Sequence, residues 1–364
     1  SKSCALLRQK NEMNANTIPE APVQEEIEAN AFNNAELERI LVPADFSATS
    51  RKVVLYAGRL AEKHGAKVAL LHVVDFADID RLALRLGPLS QERMEAAAAA
   101  RTRALIDKLG RDELGEQIAH ECDVIPGLAA STIVEKAGTW RADLIVIGTH
   151  SECVFKHMII GSTAERVVRR APCPVMVVRD KEHDFIVEAD EIASTAISDS
   201  KPALTAETEK PPFNLRKILI PIDFSECSKN ALQYAKPLAD QFQAEIELVY
   251  VSTLNNLGIE GLAGTDLMTL RTNLKKGAKT QMSEIAVSHE FTDDAITFHT
   301  REGRAATEIV ELAKERDIDL IVMATHGYSN INHVLLGSVA ENVVRHATCP
   351  VLVVRENERE SGQP

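Results

Sequence analysis

Hydrophobic and polar positions alternate on two periods along this chain. Short apolar runs rich in Ile, Leu and Val recur at 40–43, 68–74, 118–125, 144–147 and 175–178. Longer stretches with apolar residues every third or fourth position lie between them, at 47–64, 93–109, 128–137 and 162–170. The first kind predicts strands and the second helices. Runs such as LIVI at 144–147 and VMVV at 175–178 do not alternate with polar residues, which predicts burial on both faces. Five strands separated by helices imply an α/β fold, a parallel sheet with helices on both sides.

The pattern then repeats. LIVIGTHSECVFKHMIIGSTAERVVRRAPCPVMVVR at 144–179 and LIVMATHGYSNINHVLLGSVAENVVRHATCPVLVVR at 320–355 share 20 of 36 positions. Upstream, RILVPADFS at 39–47 pairs with KILIPIDFS at 217–225. Agreement at this level marks a duplication. The chain divides into an N-terminal arm (1–36), a first unit (37–179), a linker (180–212), a second unit (213–355) and a polar tail (356–364). Two five-stranded sheets ordered 3-2-1-4-5 are expected.

Charge sharpens this division. Of the net −13, residues 1–36 carry 3 basic and 6 acidic groups and residues 180–210 carry 3 and 9, so arm and linker supply −3 and −6. Acidic, Ser/Thr/Ala-rich composition closed by a proline pair is linker chemistry. The units themselves are nearly neutral and carry no basic stripe interleaved with aromatics, which argues against nucleic acid as a partner. No apolar run approaches a membrane span, and the six scattered cysteines show no disulfide or zinc spacing. A cytoplasmic protein is the expectation.

In an open parallel sheet, ligands sit beyond the carboxyl ends of the strands where the winding reverses, here between strands 1 and 4. Asp45 and Asp223 follow strand 1 of each unit, and the loops 148–161 and 324–337 follow strand 4, each ending in Gly-Ser at a helix start. Amides of Gly161, Ser162 and Thr163 at that N-terminus suit phosphate oxygens. Glycine permits close backbone approach. The aspartate can accept from a ribose hydroxyl or amino group, or support the helix that follows it. His157 and His333 sit at equivalent loop positions, and Lys156 only in the first. His150 and His326 read as turn packing, Cys173 and Cys349 as core residues, and Cys153 as an unpaired loop thiol.

At these residues the chain resembles the universal stress protein family, tandem two-domain type, across both units. The signature of the ATP-binding branch is G-2x-G-9x-G-[ST]. The first unit has Gly148, Gly161 and Ser162, with Ser151 at the second glycine. The second has Gly327, Gly337 and Ser338, with Ala324 at the first.

The resemblance implies an adenine nucleotide alpha-hydrolase-like, Rossmann-like fold. It also implies an adenine pocket from Ala44, Asp45, Val73 and Ile147 and a triphosphate cradle from Gly148, Ser151, Gly161, Ser162, Thr163 and Ala164. In the second unit these become Ile222, Asp223, Val251 and Met323, then Ala324, Gly327, Gly337, Ser338, Val339 and Ala340. The implied ligand is ATP, with or without Mg²⁺. The implied role is stress-response regulation rather than enzymatic turnover, with an interaction scaffold or a slow ATPase as alternatives. Pairing of the last strands into an intramolecular pseudo-dimer, and homodimerisation, are further expectations.

Overall fold

A computed structural model describes residues 37–74, 88–149, 161–179, 214–253, 264–291, 296–326 and 336–355. Ser151 and Gly327, along with His150, Cys153, Lys156, His157 and His333, lie outside them.

The first unit runs β1 (Arg39–Pro43), α1 (Ala48–His64), β2 (Lys67–Val74), α2 (Pro88–Leu114), β3 (His120–Pro126), α3 (Ala129–Trp140), β4 (Leu144–Gly148), α4 (Ser162–Arg170) and β5 (Val175–Val178). The second repeats it: β6 (Lys217–Pro221), α5 (Glu226–Phe242), β7 (Glu245–Ser252), α6 (Gly264–Ser288), β8 (Ile296–Glu302), α7 (Ala305–Glu315), β9 (Leu320–Ala324), α8 (Ser338–His346) and β10 (Val351–Val354). The expected elements are present. The helix expected at 93–109 is longer at both ends, where Pro88 supplies a φ suited to a helix start.

Each unit has the strand order 3-2-1-4-5, but the expectation of two separate sheets is corrected. The ten strands form one sheet, β3-β2-β1-β4-β5-β10-β9-β6-β7-β8. The join is antiparallel, with Val351 opposite Val177, Leu352 opposite Met176 and Val353 opposite Val175. The reason is the edge: β5 and β10 are short, wholly apolar and buried along their length. Left alone, each would end a sheet with unpaired amides on a hydrophobic strand. Arginines of each unit also reach the other's helix ends. Arg179 Nη1 donates to Ala347 O at 2.8 Å and Arg355 Nη1 to Ala171 O at 3.1 Å. Those carbonyls follow α8 and α4, where cations are favoured.

The sheet divides the core in two. Ile40 and Val42 pack under α1 and α2, while Leu41 between them faces α3 and α4. The second unit repeats this with Ile218, Ile220 and Leu219. One departure from the repeat is polar. Glu247 on β7, at the place Ala69 holds in β2 of the first unit, is fully buried and accepts from His299 Nε2 at 2.8 Å and Arg316 Nε at 3.1 Å.

Candidate functional site

Each site begins where the first strand of its unit ends. After Pro43, Ala44 N donates to Leu71 O at 2.9 Å, and Ile222 N donates to Val249 O at 2.8 Å. Two residues on, Phe46 and Phe224 take left-handed conformations, with φ of 64° and 68°. That region costs an ordinary residue on the order of 1 kcal/mol, so its neighbours must hold it.

They do so through the aspartate. Asp45 Oδ1 accepts from Ser47 N at 3.1 Å, Ser47 Oγ at 2.6 Å and Ser50 Oγ at 2.5 Å, while Asp45 N donates to Ser50 Oγ at 2.9 Å. Asp223 Oδ1 likewise accepts from Ser225 N at 3.0 Å and Ser225 Oγ at 2.5 Å. Ser47 in turn caps α1, accepting from Ser50 N at 3.2 Å. The aspartate thus supports the helix start, as one of its two sequence readings had it, and also lines a cleft.

Across that cleft lies the start of α4. Thr149 is buried, and its backbone N–H donates to Val178 O at 3.0 Å. Its carbonyl accepts from Gly161 N at 2.6 Å, and Gly337 N makes the same bond to Thr325 O at 2.8 Å. A Cβ on Gly161 would stand 2.7 Å from Thr149 O, and one on Gly337 2.8 Å from Thr325 O. Both glycines are thus required by backbone packing. The Gly161 amide, expected among the phosphate donors, is already engaged by protein. The donors left at this end are the first-turn amides of α4, because its N-cap glycine supplies no side-chain bond, unlike Ser47 at α1. The N-terminus of α8 is the same.

The first cleft, about 260 Å³, is lined by the expected Ala44, Asp45, Val73, Ile147, Gly148, Gly161, Ser162 and Thr163. Ala164 does not line it; this residue is buried in the core beneath α4. The second, about 500 Å³, is lined by the expected Ile222, Asp223, Val251, Met323, Ala324, Gly337, Ser338, Val339 and Ala340. The structure also brings in residues that sequence reasoning did not single out for the site. Ser50 and Ser228 contribute hydroxyls, Ala129 and Ile133 form an apolar wall from α3, and His72 borders the first cleft. Ser47 and Ser50 recur as Ser225 and Ser228, which was the available signal. His326 borders the second cleft, with Nδ1 3.0 Å from Thr325 Oγ1.

Gly148 and Ala324 differ for a reason away from the ligand side. A Cβ on Gly148 would point at α1, 2.9 Å from Thr49 Cγ2 and 3.5 Å from Val53 Cγ2. In the second unit the corresponding helix positions are Cys227 and Ala231, and Ala324 belongs to the core on the α5 side.

Among the described residues no group of three or more His, Cys, Asp or Glu is placed to hold a metal ion. No helix there is long and apolar enough to cross a membrane. Burial raises the Cys122 thiol to about 11 and the Cys173 thiol to about 12.

The model of the universal stress protein family matches residues 36–179 and 214–355, and the chain belongs to that family. Universal stress protein MJ0531 of Methanocaldococcus jannaschii is 36% identical over 148 residues, 40% of this chain and 85% of that protein. A universal stress protein of Mycolicibacterium smegmatis is 25% identical over 320 residues, 87% of this chain and 96% of its own length, so it spans both units. The crystal structure of a universal stress protein from Archaeoglobus fulgidus aligns with a TM-score of 0.57 at 21% identity, covering 88% of this chain and 97% of that one. That last likeness concerns the fold alone.

Proposed function

We propose that each unit binds an adenine nucleotide, ATP in the first instance, and that the protein serves stress adaptation by signalling through nucleotide occupancy rather than by turnover. One observation carries this reading. A helix N-terminus without a side-chain cap faces a surface aspartate across a cleft at the winding reversal of a parallel sheet, in both units. Unpaired amides and the positive end of the helix dipole suit phosphate. A carboxylate beside phosphate would repel it, so Asp45 and Asp223 belong at the ribose or amino end. Val73 with Ile147, and Val251 with Met323, offer apolar surface for a base.

The group fits the residues present. Gly161, Ser162 and Thr163 line the first cleft and Gly337 and Ser338 the second, and the cleft volumes lie just below and within the roughly 300–1,000 Å³ common for ligand sites. ATP supplies a negative polyphosphate at one end and a flat, hydrogen-bonding base at the other. Mg²⁺ would arrive on the phosphates with water completing its shell, since the cleft contributes hydroxyls and amides rather than a carboxylate cluster. Asp45 Oδ1 already accepts three hydrogen bonds, which makes that oxygen a poor general base.

We also propose that the units work as an intramolecular pair, supported by the β5–β10 ladder and the reciprocal arginines. Calorimetric titration with ATP, with and without Mg²⁺, tests the binding reading: heat at up to two sites per chain is expected, and no heat from folded protein removes it. Small-angle scattering that resolves two separated bodies would remove the pairing.

A further inference from the structure

We propose that His72 is a positioning residue that makes the first cleft the pre-formed, tighter nucleotide site of the two; the inference rests on the nucleotide reading above. His72 Nδ1 lies 2.7 Å from Ala44 O. A carbonyl only accepts, so Nδ1 carries the proton and donates. The imidazole also stacks on Phe46, centroids 4.6 Å apart. One ring therefore grips both residues that flank Asp45: the carbonyl before it and the left-handed phenylalanine after it.

Ala44 is held through both of its backbone polar groups, since its N–H donates to Leu71 O. The second unit has Tyr250 at this place. Its ring meets Phe224 at 4.9 Å, so the aromatic contact is kept, but its hydroxyl sits at the far end of the ring and no nitrogen occupies the Nδ1 position. The Phe224 backbone is in the same left-handed region, with no imidazole donor at that place.

A left-handed phenylalanine relaxes unless its surroundings over-determine it. When only a fraction of molecules presents the aspartate correctly, apparent affinity falls by that fraction. Removing one hydrogen bond of ordinary strength corresponds to about tenfold, or roughly 1.4 kcal/mol.

The test is ATP titration into the full chain carrying Ser338→Glu, which places a carboxylate on the first turn of α8 and silences the second cleft. Adding His72→Tyr keeps the stack and removes the donor, and should weaken binding about tenfold while lowering the nucleotide-free melting temperature by no more than about 6 °C. His72→Asn, whose side-chain nitrogen stands where Nδ1 stood, should bind within about threefold of the His72 chain. If His72→Tyr does not fold, His72→Gln takes its place, because its nitrogen reaches the Nε2 position instead.

Equal affinity with and without the His72→Tyr substitution overturns the proposal, as does a His72→Asn variant that binds no better than the His72→Tyr one. Absence of heat from the unsubstituted, folded chain overturns the nucleotide reading itself, and this inference with it.

Discussion

Gly148→Ala isolates the packing of β4 on α1. The new methyl would stand 2.9 Å from Thr49 Cγ2, against an optimum near 3.5–4.0 Å, so one group must yield by roughly 0.6–1 Å. Neither side has room. Thr49 is 5% exposed and Val53, next along the same face, is fully buried. Overpacking of this kind costs about 1–3 kcal/mol.

Thr49→Ser deletes the offending methyl while keeping the hydroxyl, and alone should cost about 0.5–1.5 kcal/mol. The double variant should be no less stable than Thr49→Ser alone, giving a coupling of about 1–3 kcal/mol in its favour, the whole cost of Gly148→Ala. In the second unit Ala324 shares its core with Cys227 and Ala231, the residues at the two corresponding helix positions.

The single tryptophan, Trp140, lies at the end of α3 in the first unit, so its fluorescence during urea unfolding reports that unit. Stabilities of the two single variants that sum to that of the double within about 0.5 kcal/mol would refute the contact. So would a large loss of ATP affinity in Gly148→Ala at full stability, since it would put the methyl on the ligand side.

Ser47→Ala removes the cap of α1 and a donor to Asp45, and should lower stability by about 0.5–2 kcal/mol in urea titration, more than Ser→Ala at an exposed helix site. Burial pushes the Glu247 carboxyl up, but bonds from His299 and Arg316 outweigh it and hold the group below its ordinary value. A depressed carboxyl contributes stability that is complete above its unfolded value, about 4.3, and is lost as pH falls through the folded one. Acid unfolding of the second unit should therefore steepen below about pH 4.3, and Glu247→Gln should flatten that limb while lowering stability at neutral pH. Both Cys122 and Cys173 should resist iodoacetamide at pH 8 in native protein and react once unfolded, because thiols raised this far stay protonated; peptide mapping reads the result.

Much of this architecture could be read from residues alone. Unbroken apolar strands announced a doubly covered sheet, and Pro-Ala-Asp facing Gly-Ser across it announced a cleft. The features that escaped depend on proximity rather than on pattern. Gly161 looked like a ligand-facing glycine, but its missing Cβ is explained by Thr149 O, twelve residues away in sequence and 2.7 Å from where that atom would be.

Ala164 is buried in the core and does not line the first cleft, whereas its repeat partner Ala340, just as buried, does line the second. His72 sits on an apolar strand whose period says only which face it occupies, and its bond to Ala44 O needs the neighbouring strand in place. The single ten-stranded sheet follows from edge chemistry that the apolar last strands did signal, but order and direction across the join had to be seen.

The central claim is that polyphosphate rests on the first-turn amides of α4 and α8, opposite Asp45 and Asp223. A crystal structure grown at saturating ATP tests it most directly. The account predicts phosphate density against the amides of Ser162 and Thr163, with the base between Val73 and Ile147. Clefts holding only solvent, or nucleotide bound elsewhere on the surface, would contradict it.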